Sequence, residues 1–312
     1  MSTRRVAAID CGTNSLRLLV ADVDPATGAA HELERTMEVV RLGQGVDRTG
    51  AFAPEALTRT FAALDRAAAL LARHAPGAVR FVATSASRDV ANRDEFAAGV
   101  RARLGVDPHV VTGQEEAALS FAGATADLAD DGSPYLVVDL GGGSTELVLG
   151  DDVVRAARSL DMGSVRMTER HLHGDPPTPD EVAAARADVR SVLAGSDVPV
   201  ERARTLVGVA GSVTTITAAA VDLAEYAPGC LHGVRLPLEQ VLAACDRILR
   251  ATRAERAAMP FVHPGRVDVI GAGALVWASV LEHVAERAGV TEVLTSEHDI
   301  LDGIAVALAR TA

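Results

Sequence analysis

Three short stretches of small and hydroxyl residues could present backbone N–H groups to an anion: Gly12-Thr13-Asn14-Ser15, Gly141-Gly142-Gly143-Ser144 and Gly211-Ser212. Amides exposed at strand turns and helix starts bind phosphate oxygens, aided by the positive end of the helix dipole. A carboxylate stands at the entrance of two of these turns, Asp10 and Asp139, and Glu146 lies across the second turn from Asp139. A few such oxygens, completed by water and substrate phosphate, suit Mg²⁺ or Mn²⁺, so Asp139 and Glu146 are the candidate metal ligands. Asp10 is read equally as part of a phosphate site or as an Asx cap of its own turn.

Two further residues could act on a phosphoryl group. Glu115 and Glu116 must point in different directions on a helix. Thr112-Gly113-Gln114-Glu115 has capping-box spacing, which gives Glu115 a structural task and leaves Glu116 to face a ligand. A carboxylate there can orient and deprotonate water, and the residues alone leave Glu116 open between that task and a solvated surface position, the commoner of the two. Arg88 follows an apolar strand ending at Ala83, where α/β sheets present side chains to ligands, and its fork of donors matches phosphate. All 30 basic residues are Arg and none is Lys, which excludes a P-loop of the G-x-x-x-x-G-K-[ST] kind. Phosphate chemistry here must use amides, Arg and a metal ion.

The elements that position these residues follow from an internal repeat. Ile9-Asp10-Cys11-Gly12-Thr13-Asn14-Ser15-Leu16-Arg17-Leu18-Leu19-Val20-Ala21-Asp22 lies in register with Val138-Asp139-Leu140-Gly141-Gly142-Gly143-Ser144-Thr145-Glu146-Leu147-Val148-Leu149-Gly150-Asp151, and each copy reads as strand, tight turn, strand. Around the two hairpins, helical and strand patterns alternate, which predicts α/β layers. Helices are expected at Pro54 to Ala75, Asn92 to Leu104, Gly113 to about Ala126, after the Thr178-Pro179-Asp180-Glu181 capping box, from Val213, and at Leu238 to Ala251, Arg266 to Ala288 and Asp299 to Arg310. Strands are expected at Val79 to Ala83, Pro108 to Val111, Thr205 to Ala210 and Thr291 to Leu294. The Asp-, Gly- and Pro-rich Asp127 to Pro134 is the expected linker. Two related domains are thus predicted, 1–128 and 129–312, with the closing helix 299–310 available to pack back on the first.

Composition narrows the function. Of 312 residues, 48% are apolar and 23% charged, which excludes disordered and fibrous classes. No apolar run reaches the roughly 18 residues of a membrane span, and the N-terminal apolar stretch is broken by Asp10, Asn14 and Arg17, so neither membrane nor signal peptide is expected. A net charge of −12 argues against nucleic acid as a partner. Cys11, Cys230 and Cys245 suggest no disulfide framework, which fits a reducing, cytoplasmic location. Cys11 reads as a buried filler, and His171 and His173 as loop residues.

These motifs resemble the exopolyphosphatase and guanosine pentaphosphate phosphatase (Ppx/GppA) family. The resemblance is carried by Ile9 to Ser15, Leu42-Gly43-Gln44-Gly45-Val46-Asp47, Ala83 to Arg88, Gly113-Gln114-Glu115-Glu116-Ala117, Val138 to Glu146, Gly208 to Ser212 and Ser296 to Gly303, in family order over nearly the whole chain. It implies two ribonuclease-H-like domains of the superfold shared by actin, sugar kinases and heat-shock chaperones, with an interdomain active-site cleft. It also implies that Glu116 activates water, Arg88 binds phosphate, Asp139 and Glu146 associate with metal, and Gly141 to Ser144 form the phosphate loop. Longer members carry an additional helical region, and this chain resembles the short, two-domain form. The expected activity is hydrolysis of the terminal phosphoanhydride of inorganic polyphosphate. The alternatives are removal of the 5′ terminal phosphate of pppGpp, a small-molecule kinase, or a non-catalytic sensor of polyphosphate or an alarmone. A homodimer is expected only from the frequency of twofold oligomers.

Overall fold

In both halves, the apolar run before the Gly-containing turn forms the central strand of a sheet. The computed structural model describes residues 3–88, 90–128, 132–227 and 229–312. The chain divides into two units, Met1–Ala126 with Asp299–Ala312, and Asp127–His298. The first unit runs β1 (Arg4–Cys11), β2 (Ser15–Val23), β3 (Ala30–Val39), α1 (Val46–Thr49), α2 (Pro54–His74), β4 (Ala78–Ala83), α3 (Arg93–Leu104), β5 (Pro108–Val110) and α4 (Gly113–Thr125). Its sheet order is β3-β2-β1-β4-β5, with β1, β2 and β3 antiparallel and β4 and β5 parallel to β1. Strand β1 is covered on both faces, so it reads as one continuous apolar run rather than an alternating one. Ala7 and Ile9 pack with Phe81, Leu64 of α2 and Phe96 of α3, whereas Val6 and Ala8 face the other side.

The second unit runs β6 (Tyr135–Leu140), β7 (Thr145–Gly150), β8 (Val154–Leu160), α5 (Ser164–His171), α6 (Pro179–Ala194), β9 (Thr205–Val209), α7 (Ala210–Ala220), β10 (Arg235–Pro237), α8 (Leu238–Arg250), α9 (Arg253–Ala258), α10 (Ile270–Ala288) and β11 (Glu292–Thr295). Its order, β10-β11-β9-β6-β7-β8, repeats the first sheet strand for strand from β8 to β11 and adds β10 as an antiparallel edge. Each unit is therefore an α/β sheet of the ribonuclease-H-like kind that the family resemblance implies, and the two are related as the repeat predicts. Trp277 of α10 is fully buried in the second core, its ring filling the space a Cβ on Gly208 would need.

Several boundaries differ from the sequence expectation. Strands β3 and β8 escaped prediction because they are edge or near-edge ribbons, AHELERTMEV and VRAARSL, whose charged residues blur the apolar alternation. The helix expected from Arg266 begins at Ile270, after a short 3₁₀ turn, Pro264–Arg266. His171 closes α5 and bonds Asp188 at 2.8 Å rather than lying in a loop. Of the expected linker, residues 129–131 lie outside the described residues.

The closing helix α11 (Ile300–Thr311) belongs to the first unit, so the chain passes between the units twice, after Ala126 and after His298. Its apolar stripe, Ile300, Leu301, Ile304 and Ala305, covers Val6, Ala8 and Leu19 on the second face of the sheet. It also lies against α4 at backbone distance. A Cβ on Gly123 would overlap the Asp299 carbonyl, and one on Gly303 would overlap that of Leu119. Ala ordinarily stabilises a helix interior over Gly by about 0.5–1 kcal/mol. Here the neighbour is backbone and cannot yield, so Gly303→Ala is expected to destabilise by about 1–3 kcal/mol. A lower urea midpoint at unchanged slope would show it, and a raised midpoint would refute the close packing.

Candidate active site

Strand β1 delivers Asp10 to its turn, where Gly12 N–H donates to the Ser15 carbonyl at 2.9 Å. The antiparallel register then places Asp10 opposite Arg17. Arg17 Nε and Nη2 donate to Asp10 Oδ2 at 3.0 and 2.7 Å, and its Nη1 donates to Asp299. Asp10 is only 4% exposed, and its Oδ1 has no hydrogen-bond partner among the described residues, so the carboxylate does not cap its own turn. Burial pushes the Asp10 carboxyl up against the pull of Arg17. Burial would raise Asp299 too, but Arg17, the Leu301 amide and Arg35 outweigh it and hold that carboxyl down. Cys11 is fully buried beside them, its thiol pushed up by burial, in keeping with a filler.

The turn is braced from behind. Gly43 N–H donates to the Thr13 carbonyl at 2.8 Å, and Val40 and Arg41 N–H both donate to the Asn14 carbonyl. Because the peptide is planar and trans, carbonyls fixed in that direction turn the N–H groups of Asn14 and Ser15 the opposite way. Gly43 must lack a side chain, since a Cβ would overlap the Thr13 methyl. Thr13 Oγ1 meets Ser85 Oγ at 3.1 Å, which links the turn to the 3₁₀ segment Ser85–Ser87 that carries Arg88.

Arg88 donates from Nε to the Val111 carbonyl at 3.2 Å and from Nη2 to Glu116. The capping box predicted from spacing is present, with Glu115 Oε2 accepting from Thr112 N–H at 2.9 Å and Thr112 Oγ1 accepting from Glu115 N–H at 3.2 Å. That backbone bond holds the Glu115 carboxyl below its usual range. Glu116, one residue on, turns inward and is 7% exposed. The first unit thus joins Asp10, Arg17, the 12–15 turn, Arg88 and Glu116 through its own elements.

The second unit repeats the turn, with Gly141 N–H donating to the Ser144 carbonyl at 3.0 Å. Asp139 and Glu146 are register partners across the hairpin, so both project from one face, with Cβ atoms about 4.5–5.5 Å apart. They are 7% and 1% exposed, and Glu146 Oε1 accepts from Ser144 Oγ at 2.8 Å and from Ser159 Oγ at 2.6 Å. The carbonyls of the loop all point at α5: Ser164 N–H donates to Gly141, Val165 N–H to Gly142, and Arg166 Nε to Gly143. By the same planarity, the N–H groups of Gly142, Gly143 and Ser144 face away from α5 together. Amides turned to one side of a loop in this way can receive an anion. Gly163 lets α5 approach so closely, because a Cβ there would overlap the Gly142 carbonyl.

The strand-to-helix turn sits differently from the expectation. Helix α7 begins at Ala210, held at φ 73°, so Gly211 and Ser212 occupy its first turn rather than a preceding loop. The Arg266 guanidinium fills the space of a Gly211 side chain. Arg17, Asp299, Arg166 and Arg266 are the residues that sequence reasoning missed. Only Arg17 had a local signal, its repeat position opposite Asp10.

Two acidic side chains directly opposite one another destabilise a strand pair unless a cation or proton compensates. Asp139 and Glu146, with the hydroxyls around them, form an all-oxygen donor set of the kind that hard Mg²⁺ or Mn²⁺ takes. In the first unit, the position equivalent to Glu146 is Arg17, which pairs with Asp10. No helix among the described residues is long and apolar enough to cross a membrane.

Comparison with known proteins identifies the family and agrees with the fold. The chain is 52% identical over 318 aligned positions to Exopolyphosphatase 2 of Mycobacterium tuberculosis, covering 99% of this chain and 100% of that protein. The crystal structure of an exopolyphosphatase-like protein superposes with a TM-score of 0.96 at 47% identity, covering 100% of this chain and 99% of the other. An exopolyphosphatase from Cytophaga hutchinsonii superposes at 0.85 with 26% identity and 96% coverage of both chains. Residues 19–307 match the model of the Ppx/GppA phosphatase family, and with that span, this fold and these turns the chain belongs to it.

Proposed function

We propose that this protein is an exopolyphosphatase, hydrolysing the terminal phosphoanhydride of inorganic polyphosphate and releasing orthophosphate. The observation that carries the reading is Glu116: a buried carboxylate in the first turn of α4, relieved of capping by Glu115 and ion-paired to Arg88. The full-length similarity to Exopolyphosphatase 2 supports the substrate class.

In the resting state, Arg88 neutralises Glu116. Substrate phosphate competes for the same guanidinium, and as Arg88 turns its donors to the phosphoryl oxygens, Glu116 becomes available to accept a proton from water and orient it in line. Each unit's turn offers amides whose carbonyls are already fixed, Asn14 and Ser15 in the first and Gly142, Gly143 and Ser144 in the second, so each can receive phosphate oxygens without reorganising. Asp139 and Glu146 would hold Mg²⁺ or Mn²⁺, which supplies neutralisation of the phosphate oxygens. An acidic chain and a polyanion would otherwise repel one another. We further propose a cytoplasmic homodimer, the location resting on three cysteines that form no disulfide and the dimer on base rate.

Glu116→Gln is expected to lower phosphate release by about 10²–10⁴-fold with KM changed only a few-fold. Unchanged turnover would remove Glu116 from the chemistry. Run in parallel on short polyphosphate, long polyphosphate, pppGpp and ATP, the wild-type assay decides the substrate. Release mainly from pppGpp would replace the proposal with alarmone hydrolysis, and tight binding without release would make the protein a sensor. Glu146→Gln is expected to raise the Mg²⁺ concentration for half-maximal activity about tenfold or more. An unaltered Mg²⁺ dependence would exclude Glu146 as a ligand.

A further inference from the structure

The second unit carries a second cluster of metal-ligating side chains that the phosphatase reading does not use: Asp127, His232 and His298. Asp127 Oδ2 lies 2.9 Å from His232 Nε2 and 3.4 Å from His298 Nδ1, and one donor atom from each residue lies within 4.8 Å of the others. The two imidazoles stack with centroids 4.4 Å apart. Bonds of about 2.0–2.1 Å at a tetrahedral zinc set neighbouring donor atoms about 3.3–3.4 Å apart, a spacing the two measured edges bracket.

The cluster is built from backbone outward. His232 precedes β10 and is held opposite the 295–298 segment because Gly233 N–H donates to the Thr295 carbonyl at 2.9 Å and Thr295 N–H to that of Val234 at 2.8 Å. His298 is fixed by Ser296, whose hydroxyl accepts from His298 N–H at 3.2 Å and donates to the His298 carbonyl at 3.0 Å. Asp127 is exposed and the two histidines half-buried, so an ion can enter from solvent. The adjoining Glu297 carboxylate, accepting from Tyr226 at 2.6 Å, adds negative charge.

We infer that Asp127, His232 and His298 form a binding site for a divalent transition cation of the zinc class. Two imidazoles and one carboxylate, with a position left for water, select such an ion over the hard Mg²⁺ suited to the Asp139 and Glu146 carboxylates. The chain enters the second unit at Asp127 and leaves it at His298. A bound ion therefore ties together the two segments by which this unit is joined to the rest of the protein. Glu297 N–H donates to His232 Nδ1 at 3.2 Å, so without metal the ring proton sits on Nε2, toward Asp127. Metal on Nε2 leaves Nδ1 as the ring N–H, and the Glu297 amide must give up its bond there.

The test is a titration of the full chain with Co²⁺ alone, followed by visible absorption, since imidazole-bound four- or five-coordinate cobalt absorbs far more strongly than cobalt in an octahedral oxygen site. One saturable equivalent is expected, displaced by Zn²⁺ but not by excess Mg²⁺. His232→Gln and His298→Gln should weaken it roughly tenfold or more, and Glu146→Gln should leave it intact. No band, a band indifferent to both histidines, or one lost with Glu146 would overturn the assignment. Should a histidine variant misfold, the wild type decides: Zn²⁺ must shift the Glu297 amide resonance, and an unmoved resonance refutes the site.

Discussion

A buried carboxylate at the end of each central strand has to be compensated, and the residue facing it across the hairpin determines how. In the first unit, Asp10 faces Arg17, which is shared with Asp299. Asp299 is also the N-cap of α11, accepting from Leu301 N–H at 3.0 Å, while Asp302 accepts from Asp299 N–H in return. One guanidinium therefore pairs with the carboxylate at the turn and also anchors the helix that covers one face of the sheet. Removing one partner of such a buried group leaves an uncompensated charge, typically worth 3–5 kcal/mol. In the second unit the facing residue is Glu146, a second carboxylate, and the pair with its surrounding hydroxyls offers oxygen donors that a cation can take. The same hairpin has become a structural clamp in one half and a candidate cation site in the other.

Both turns reach their shape through contacts behind them. Gly43 against Thr13, and Gly163 against Gly142, let a second segment approach at backbone distance and fix the turn carbonyls. Fixing the carbonyls orients the amides on the opposite side, so the donors are set before any ligand arrives. These glycines serve close approach and not unusual torsion, since neither has positive φ. The turn sequences alone, GTNS and GGGS, would allow many conformations.

What was legible in the sequence was local. The hairpins, the Thr112 and Thr178 capping boxes and the separation of Glu115 from Glu116 depend on residues a few positions apart, where periodicity and capping chemistry apply. The pairing of Arg17 with Asp299, the seat of Arg266 against Gly211, and the ends of α4 and α11 at Gly123 and Gly303 join residues far apart in the chain. No spacing rule reports them. The Asp127, His232 and His298 cluster escaped for the same reason, because a scan for short His spacing cannot see donors 105 positions apart. Strands β3 and β8 were lost differently: an edge position tolerates charge, and charge hides the alternation.

The arginines of the first unit also explain how so acidic a protein could meet a polyanion. Arg88 and Arg17 are not left waiting as bare cations, since each already holds carboxylates in a poorly solvated setting. On the proposed mechanism, phosphate binding at Arg88 would be an exchange of one anion for another on a guanidinium that is partly buried and already oriented by the Val111 carbonyl. The net interaction is the difference between two charge-assisted pairs, which favours a substrate whose phosphates can engage several donors at once over a lone anion. Arg suits this exchange where Lys would not, because its planar fork can keep one partner while turning another N–H to the next, and it remains charged throughout.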